Sequence, residues 1–240
     1  VNRPASGAAV VAVVPAAGSG LRLGAGVPKA FVELVGVPML VRAVDGLLAS
    51  TAVDHVVVVV QGDQVGDASA LLPGRPVTVV EGGADRTASV AAGLAAIGPD
   101  ADVVLVHDAA RPLTPAGVVE RVVGAVRAGA PAVIPVLPVA DTIKQVDDAG
   151  VVVSTVNRSA LRAVQTPQGF RIADLRRAYA GTPDPRTDDA GLVEAIGDPV
   201  ATVPGDPLAF KVTTAWDLRI AELLIAGATV GAAEPVERIG

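Results

Sequence analysis

Two cations carried by one glycine-rich segment are the first residues whose types and spacing could do chemistry. The segment is Pro15-Ala16-Ala17-Gly18-Ser19-Gly20-Leu21-Arg22-Leu23-Gly24-Ala25-Gly26-Val27-Pro28-Lys29, and it directly follows the apolar run Val10 to Val14. A glycine-rich turn after the first strand of an α/β sheet lets successive backbone N–H groups converge on an anion. From such a nest Arg22 and Lys29 can reach phosphates and neutralise charge during a displacement. Two familiar nucleotide loops are excluded. Pro28 stands where a Walker A loop has Gly before its Lys, and the spacing of Gly18, Gly20 and Gly24 misses the dinucleotide fingerprint by one residue. The competing reading is a surface loop with a solvated Arg and Lys.

The elements that must position such a loop follow from hydrophobic periodicity. The pattern predicts strands over Val10 to Val14, His55 to Val60, Val77 to Val80, Val103 to Val106, Ala132 to Pro135 and near Val200 to Val203. Helices are predicted over Pro38 to Ser50, after Asp63, from about Thr87 to Ile97, and over Pro115 to Ala128, Ile172 to Tyr179, Asp188 to Ile196 and Thr214 to Ala226. Val-rich runs alternating with helices predict a mostly parallel sheet covered on both faces, a three-layer α/β fold with its ligand site at the C-terminal ends of the strands. Asp108, just past Val106, falls at such an end. One segment breaks the alternation: Asp141 to Val146 and Val151 to Val156, joined by Asp147-Asp148-Ala149-Gly150, read as a β-hairpin. A lone hairpin is marginal in water, so this arm, about residues 138–160, is expected to pack on a second subunit as a homodimer contact.

Length and composition bound what this fold can serve. The 240 residues suit a single domain, 8–230, with 1–7 and 231–240 as flexible ends. Apolar residues make up 51% and aromatics 2%, so the core must be built from small aliphatic side chains and stacking platforms for bases are few. A net charge of -6 argues against a polyanion-binding surface, and no nucleic-acid partner is expected. The absence of cysteine excludes disulfides and thiolate chemistry. The run Ala8 to Val14 could pass for a signal peptide, but it is short, β-branched and followed at once by the glycine loop, so a first buried strand explains it better. With no run approaching the ~20 apolar residues of a membrane span, the expectation is a cytoplasmic protein with no membrane partner.

Several separated segments then carry a resemblance. The opening pattern PAAGxGxRxGxxxPK is followed by Gly82-Gly83-Ala84-Asp85-Arg86-Thr87-Ala88-Ser89-Val90, His107-Asp108-Ala109-Ala110-Arg111-Pro112 and Asp141-Thr142-Ile143-Lys144. Thr166-Pro167-Gln168, Thr187-Asp188-Asp189-Ala190 and Lys211-Val212-Thr213 complete it. Together they resemble the 2-C-methyl-D-erythritol 4-phosphate cytidylyltransferases over nearly the whole chain. The opening pattern alone is shared with other nucleotidyltransferases, and the later segments narrow the family. The resemblance implies a Rossmann-like nucleotidyltransferase fold with a protruding dimerisation arm. It also implies transfer of CMP from CTP to the phosphate of the polyol, with release of pyrophosphate, in non-mevalonate isoprenoid precursor biosynthesis.

Residue roles implied by the resemblance cover both substrates. Arg22 and Lys29 would stabilise the α-phosphate in the transition state, with Arg158 and Lys211 completing the catalytic set. Pro15, Ala16, Ala17, Gly18, Ser19 and Gly20, together with Gly83, Ala84, Asp85 and Ser89, would hold the nucleotide, and Asp108 and Ala109 would lie by the ribose. Asp108, Arg111, Thr142, Arg158, Thr166, Thr187 and Lys211 would bind the acceptor, Thr142 and Arg158 reaching the neighbouring subunit's site. Magnesium would come mainly on the CTP phosphates, with Asp108 as a candidate ligand. Because the attacking phosphate oxygen is already an anion, His107 has no proton to remove and reads as structural. Thr87 and Ser89 could instead serve as helix caps, as could Thr187 and Asp188, and Arg158 could serve only dimer salt bridges. Two positions depart from the family pattern: Ala84, where an acidic residue is common, and Phe210, where a polar one is. A ribitol 5-phosphate cytidylyltransferase is the nearest rival, and a non-catalytic nucleotide-binding protein a more distant one that retention of Arg22, Lys29 and Lys211 argues against.

Overall fold

A computed structural model describes residues 9–17, 27–181 and 188–231. In chain order the elements are β1 (Ala9–Pro15), β2 (Glu33–Leu34), β3 (Val37–Pro38), α1 (Met39–Leu48), β4 (His55–Val60), α2 (Val65–Ala70), β5 (Val77–Glu81), α3 (Arg86–Ala95) and β6 (Ala101–Val106). They continue with α4 (Ala116–Arg127), β7 (Ala132–Pro138), β8 (Ile143–Val146), β9 (Val152–Val156), β10 (Arg162–Val164), β11 (Gln168–Arg171), α5 (Ile172–Gly181), α6 (Ala190–Ala195), β12 (Val200–Pro204) and α7 (Ala215–Gly231).

The main sheet has eight strands in the order β10-β7-β11-β6-β1-β4-β5, with β12 also paired to β7. β1 runs parallel to β4 and β6, and β5 parallel to β4, so four strands present their C-terminal ends along one edge. Alternation along each buried strand divides the core into two layers. Val10, Ala12 and Val14 face α1, α2 and α4, whereas Val11 and Val13 face α3, α5 and α6. That is the three-layer arrangement, and valine supplies most of it because a β-branched side chain fits a pleated, doubly covered strand. With so few aromatics, helices approach closely: a Cβ added at Gly93 would lie 2.5 Å from Val13 Cγ1, and one at Gly169 2.4 Å from Val122 Cγ1.

Besides the two-residue β2 and β3, two strands of the main sheet were not legible in the periodicity. β11 lies antiparallel between β6 and β7, pairing Gln168 with Val106 and Gly169 with Val133. β10 pairs antiparallel with the far half of β7, Val164 facing Val136. Because β12 covers Ala132 to Val136 along β7's other edge, β10 and β11 must share one edge in succession. Pro135 falls at the break between them, where its carbonyl accepts the Gln165 N–H at 2.8 Å. A proline without an N–H is tolerated at such a break, and this is why β7 continues to Pro138 past the expected stop at Pro135. The hairpin exists as β8 paired with β9, turned through Asp147 to Gly150, and Ile143, Val146, Val151, Val152 and Val153 are exposed on it.

Candidate functional site

The C-terminal ends of β1, β4, β5 and β6 supply the site's floor. Ala16 donates its N–H to the Val59 carbonyl at 2.7 Å, and Gln61 Nε2 donates to the Ala17 carbonyl at 3.1 Å, fixing the chain as it leaves β1 after Pro15. Gly18, Ser19, Gly20 and Arg22 lie outside the described residues, as does Thr187. Lys29 begins a single 3-10 turn, Lys29–Phe31, held by the Phe31 N–H on the Pro28 carbonyl and by burial of Ala30.

At the end of β5 the chain turns straight into α3. Asp85 caps this helix, its Oδ1 accepting the Ala88 N–H at 2.8 Å. Capping by Thr87 or Ser89 is therefore corrected: both lie inside the helix, and the buried Ser89 hydroxyl donates to the Asp85 carbonyl at 2.8 Å. The helix begins one residue earlier than its periodicity suggested because Asp, accepting a hydrogen bond from an early N–H, is the better cap. The paired glycines have a steric reason. A Cβ at Gly83 would lie 2.3 Å from Ala88 Cβ, and one at Gly82 2.7 Å from Ser89 Oγ. Ala84 and Asp85 stay exposed at this rim.

Asp108, at the end of β6, is the electrostatic centre. Its Oδ2 lies 2.8 Å from Lys211 Nζ and 3.8 Å from Arg111 Nε, and its Oδ1 lies 3.8 Å from Arg86 Nη2. Burial alone would raise its carboxyl, but Lys211, Arg86 and Arg111 outweigh that and hold it below the usual carboxylate range. The Asp108 N–H donates to Thr166 Oγ1 at 3.1 Å, and Thr166 Oγ1 lies 3.0 Å from His107 Nδ1. The Arg111 carbonyl, 3.3 Å from Nε2, can only accept, so Nε2 carries the hydrogen of the neutral imidazole and Nδ1 accepts the Thr166 hydroxyl. Burial lowers the imidazole to about 4, so this histidine is structural. Thr166 thus orients the Asp108 backbone.

The loop that delivers Lys211 is braced on several sides. Arg111 Nη1 donates to the Ala209 carbonyl at 2.6 Å, and burial lowers this guanidinium despite Asp108. Gln165 pairs with Asp206 in both directions, at 3.0 and 2.8 Å, and Arg121 donates to the Pro204 carbonyl at 2.9 Å. Beyond Lys211, the Val212 N–H donates to the Ala110 carbonyl at 2.8 Å, and Val212 is fully buried. Phe210 joins Val212, Leu34, Met39 and Ala221 in a satellite core under α7, which gives the unusual phenylalanine an apolar place. Asp217 accepts the Thr213 and Thr214 N–H groups at 2.8 Å, and the Thr214 hydroxyl accepts the Asp217 N–H at 3.2 Å, a reciprocal cap that starts α7.

Near α6, Asp188 does act as a cap: its Oδ1 accepts the Gly191 N–H at 3.1 Å, while Oδ2 accepts Gln168 Nε2 at 2.7 Å. The arm residues lie apart. Thr142 is exposed between β7 and β8, and Arg158 opens a 3-10 turn, Arg158–Ala160, at the base of the hairpin, donating to the Ala140 carbonyl. Among the described residues no hydrogen bond or ion pair joins either to Asp108, Thr166 or Lys211. One chain therefore assembles Asp108, Ala109, Arg111, Thr166 and Lys211 beside the strand ends but leaves Thr142 and Arg158 outside that cluster. Sequence reasoning missed roles for Gln61, Arg86, Gln165, Gln168 and Asp189; Arg86, Gln168 and Asp189 lie inside the segments that carry the resemblance, a signal that could have marked them, whereas Gln61 and Gln165 carried none.

Comparisons with known proteins bear on the family and the fold. The family model described as 2-C-methyl-D-erythritol 4-phosphate cytidylyltransferase matches residues 10–227. The chain is 61% identical over 217 residues to the protein of that name from Nocardia farcinica, covering 90% of this chain and 94% of the relative. It is also 61% identical over 222 residues to that of Saccharopolyspora erythraea, covering 90% and 99%. Among solved structures, the 2-C-methyl-D-erythritol 4-phosphate cytidylyltransferase of Thermus thermophilus superposes with a TM-score of 0.77 at 38% identity, covering 91% of this chain and 99% of that one. The 4-diphosphocytidyl-2C-methyl-D-erythritol synthase of Anaerococcus prevotii gives 0.79 at 28% identity, covering 91% and 98%.

Proposed function

The chain belongs to the 2-C-methyl-D-erythritol 4-phosphate cytidylyltransferase family, and from that premise we propose how its residues carry out the reaction. The enzyme transfers CMP from CTP to 2-C-methyl-D-erythritol 4-phosphate in isoprenoid biosynthesis. An acceptor phosphate oxygen attacks the α-phosphorus of CTP, the new P–O bond forms in line with the breaking bond to the β-phosphate, and pyrophosphate carries away the electron pair. No proton leaves the nucleophile, so the protein's task is positioning and charge stabilisation. The single observation that carries this reading is the Asp108–Lys211 pair at 2.8 Å, set at the end of β6 with Arg111 behind it: a fixed cation at the strand ends of an acidic protein.

In this reading Lys29 and Arg22 neutralise charge on the transferring phosphate, and Lys211 receives the acceptor phosphate by leaving or sharing Asp108. The strand exits at Ala16, Ala17, Gly83 and Asp85 would read the cytosine edge, with Ser89 shaping the turn and Asp108 and Ala109 beside the ribose. Thr166 and Arg111 would frame the acceptor from below. The exposed Arg158 and Thr142 fit a reach into a partner's site, which makes a homodimer through β8 and β9 part of the proposal. Magnesium is proposed to enter on the triphosphate, whose charge it would screen. Direct ligation by Asp108 does not fit, since Lys211 occupies its Oδ2 side and two guanidinium groups stand close by. Among the described residues no group of three His, Cys, Asp or Glu side chains could hold a metal ion, and no helix is long and apolar enough to cross a membrane. A reaction between two small phosphorylated metabolites suits the cytoplasm.

Pyrophosphate release with CTP and a panel of 2-C-methyl-D-erythritol 4-phosphate, ribitol 5-phosphate and hexose 1-phosphates tests the reading. Turnover is expected with the first acceptor and CTP. Activity with ribitol 5-phosphate alone would overturn it.

A further inference from the structure

Arg86 has no place in the clamp described so far, yet it is the residue on which two halves of the site meet. It is the first residue of α3, directly after the Asp85 cap, and so belongs to the nucleotide half. Its Nη2 lies 2.7 Å from Asp189 Oδ2 and 3.8 Å from Asp108 Oδ1. Asp189 is buried and comes from the start of α6, 103 positions along the chain; its other oxygen accepts the Tyr179 hydroxyl at 2.6 Å. Gln168 fixes the same corner from β11, accepting the Ala190 N–H at 3.0 Å and donating to Asp188. The charges alternate along a row: Asp189, Arg86, Asp108, Lys211.

We infer that Arg86 is a positioning residue that holds the acceptor half of the site, the start of α6 and the Asp108–Lys211 pair, in register with the nucleotide half at the start of α3; this rests on the function proposed above. A planar guanidinium can face two carboxylates at once, whereas a lysine ammonium offers a single point charge on a flexible stem. Asp189 is enclosed, and a buried carboxylate stripped of its opposing cation is costly, so Arg86 cannot swing toward Asp108 without uncovering it. The two carboxylates therefore fix the guanidinium between them. Its place sets the distance between α6 and the end of β6, which is the width of the acceptor subsite.

The test compares wild type with Arg86→Lys in steady-state transfer, with thermal unfolding as a check on folding. Arg86→Lys keeps a charge opposite Asp189 but cannot span to Asp108. The expected result is a rise of about tenfold in KM for 2-C-methyl-D-erythritol 4-phosphate and a fall in kcat, with KM for CTP changed by less than about threefold. The double variant Arg86→Met/Asp189→Asn removes both charges, leaves no unpaired buried carboxylate, and is expected to give the same split. Unchanged constants in Arg86→Lys, or an equal rise in both KM values, would overturn the inference. If Arg86→Lys fails to fold, the double variant decides on the same criteria; if that too fails to fold, Arg86 is a stability residue and the inference is lost. Failure of wild type itself to transfer CMP would instead sink the function reading.

Discussion

In the proposed reaction Lys29 meets the transferring phosphate and Lys211 the acceptor phosphate, each from a different support, and their substitutions should differ accordingly. Lys29 stands on a short 3-10 turn held by the Phe31 N–H on the Pro28 carbonyl and by burial of Ala30. Lys29→Ala should keep the fold and lower kcat by about two to three orders of magnitude, as removal of a transition-state donor does. Steady-state pyrophosphate release checks this, and near-normal turnover would remove Lys29 from the chemistry. Lys211 differs because Asp108 holds it in the free enzyme, so its loss also strips Asp108 of its nearest counter-charge. At this scale the sequence was informative about cations sitting in contiguous segments, such as Lys29 and Lys211. It was silent on Gln165, whose amide pairs with Asp206 some 41 positions away, and on the pairing of Arg86 with Asp189, although both of those lie in the segments that carry the resemblance. Partners separated by so much chain leave no spacing to read; only folding brings them together.

At the scale of elements, the junction of β6 with the segment joining β10 to β11 decides where Asp108 points. Its key is neutral His107, buried between Thr166 and the Arg111 carbonyl. In the unfolded chain this imidazole takes up a proton near its ordinary value of 6.5, whereas in the folded chain burial delays protonation to about 4. Its contribution to stability is therefore complete above pH 6.5 and is lost as pH falls from there toward 4, about 3 kcal/mol in total. Urea unfolding of wild type and His107→Asn at pH 7, 5.5 and 4.5 measures it. The wild type should lose more stability than the variant across that interval, since every other titrating group is common to both; parallel curves would mean that folding leaves the His107 imidazole at its ordinary value. Valine runs and turn residues made β1, β4, β5 and β6 legible. β10 and β11, three and four residues long, are too short for a period, and Pro167 and Gly169 disguise them further.

For the whole molecule, the question is what covers the arm. β8 and β9 form a separate two-stranded sheet, and such a ribbon is marginal in water without a packing partner. Val151, just before β9, and Val153, at the irregularity where Gln145 pairs with Ser154 and Val146 with Val152, are 61% and 63% exposed and would meet solvent in a lone chain. A twofold contact with a second copy would bury them and carry Arg158, fixed at the arm's base, toward the partner's Lys211. Val151→Asp/Val153→Asp places four unpaired charges in such an interface, two from each copy, and should convert a dimer to a monomer at micromolar concentration in analytical ultracentrifugation. If Arg158 completes the neighbouring acceptor subsite, the monomer should also show a raised KM for 2-C-methyl-D-erythritol 4-phosphate with CTP binding little changed, and Arg158→Ala should reproduce that rise while remaining dimeric. A double variant that stays dimeric would show that the arm is not the interface. A monomer with unaltered constants would show that each chain's site is complete without its neighbour.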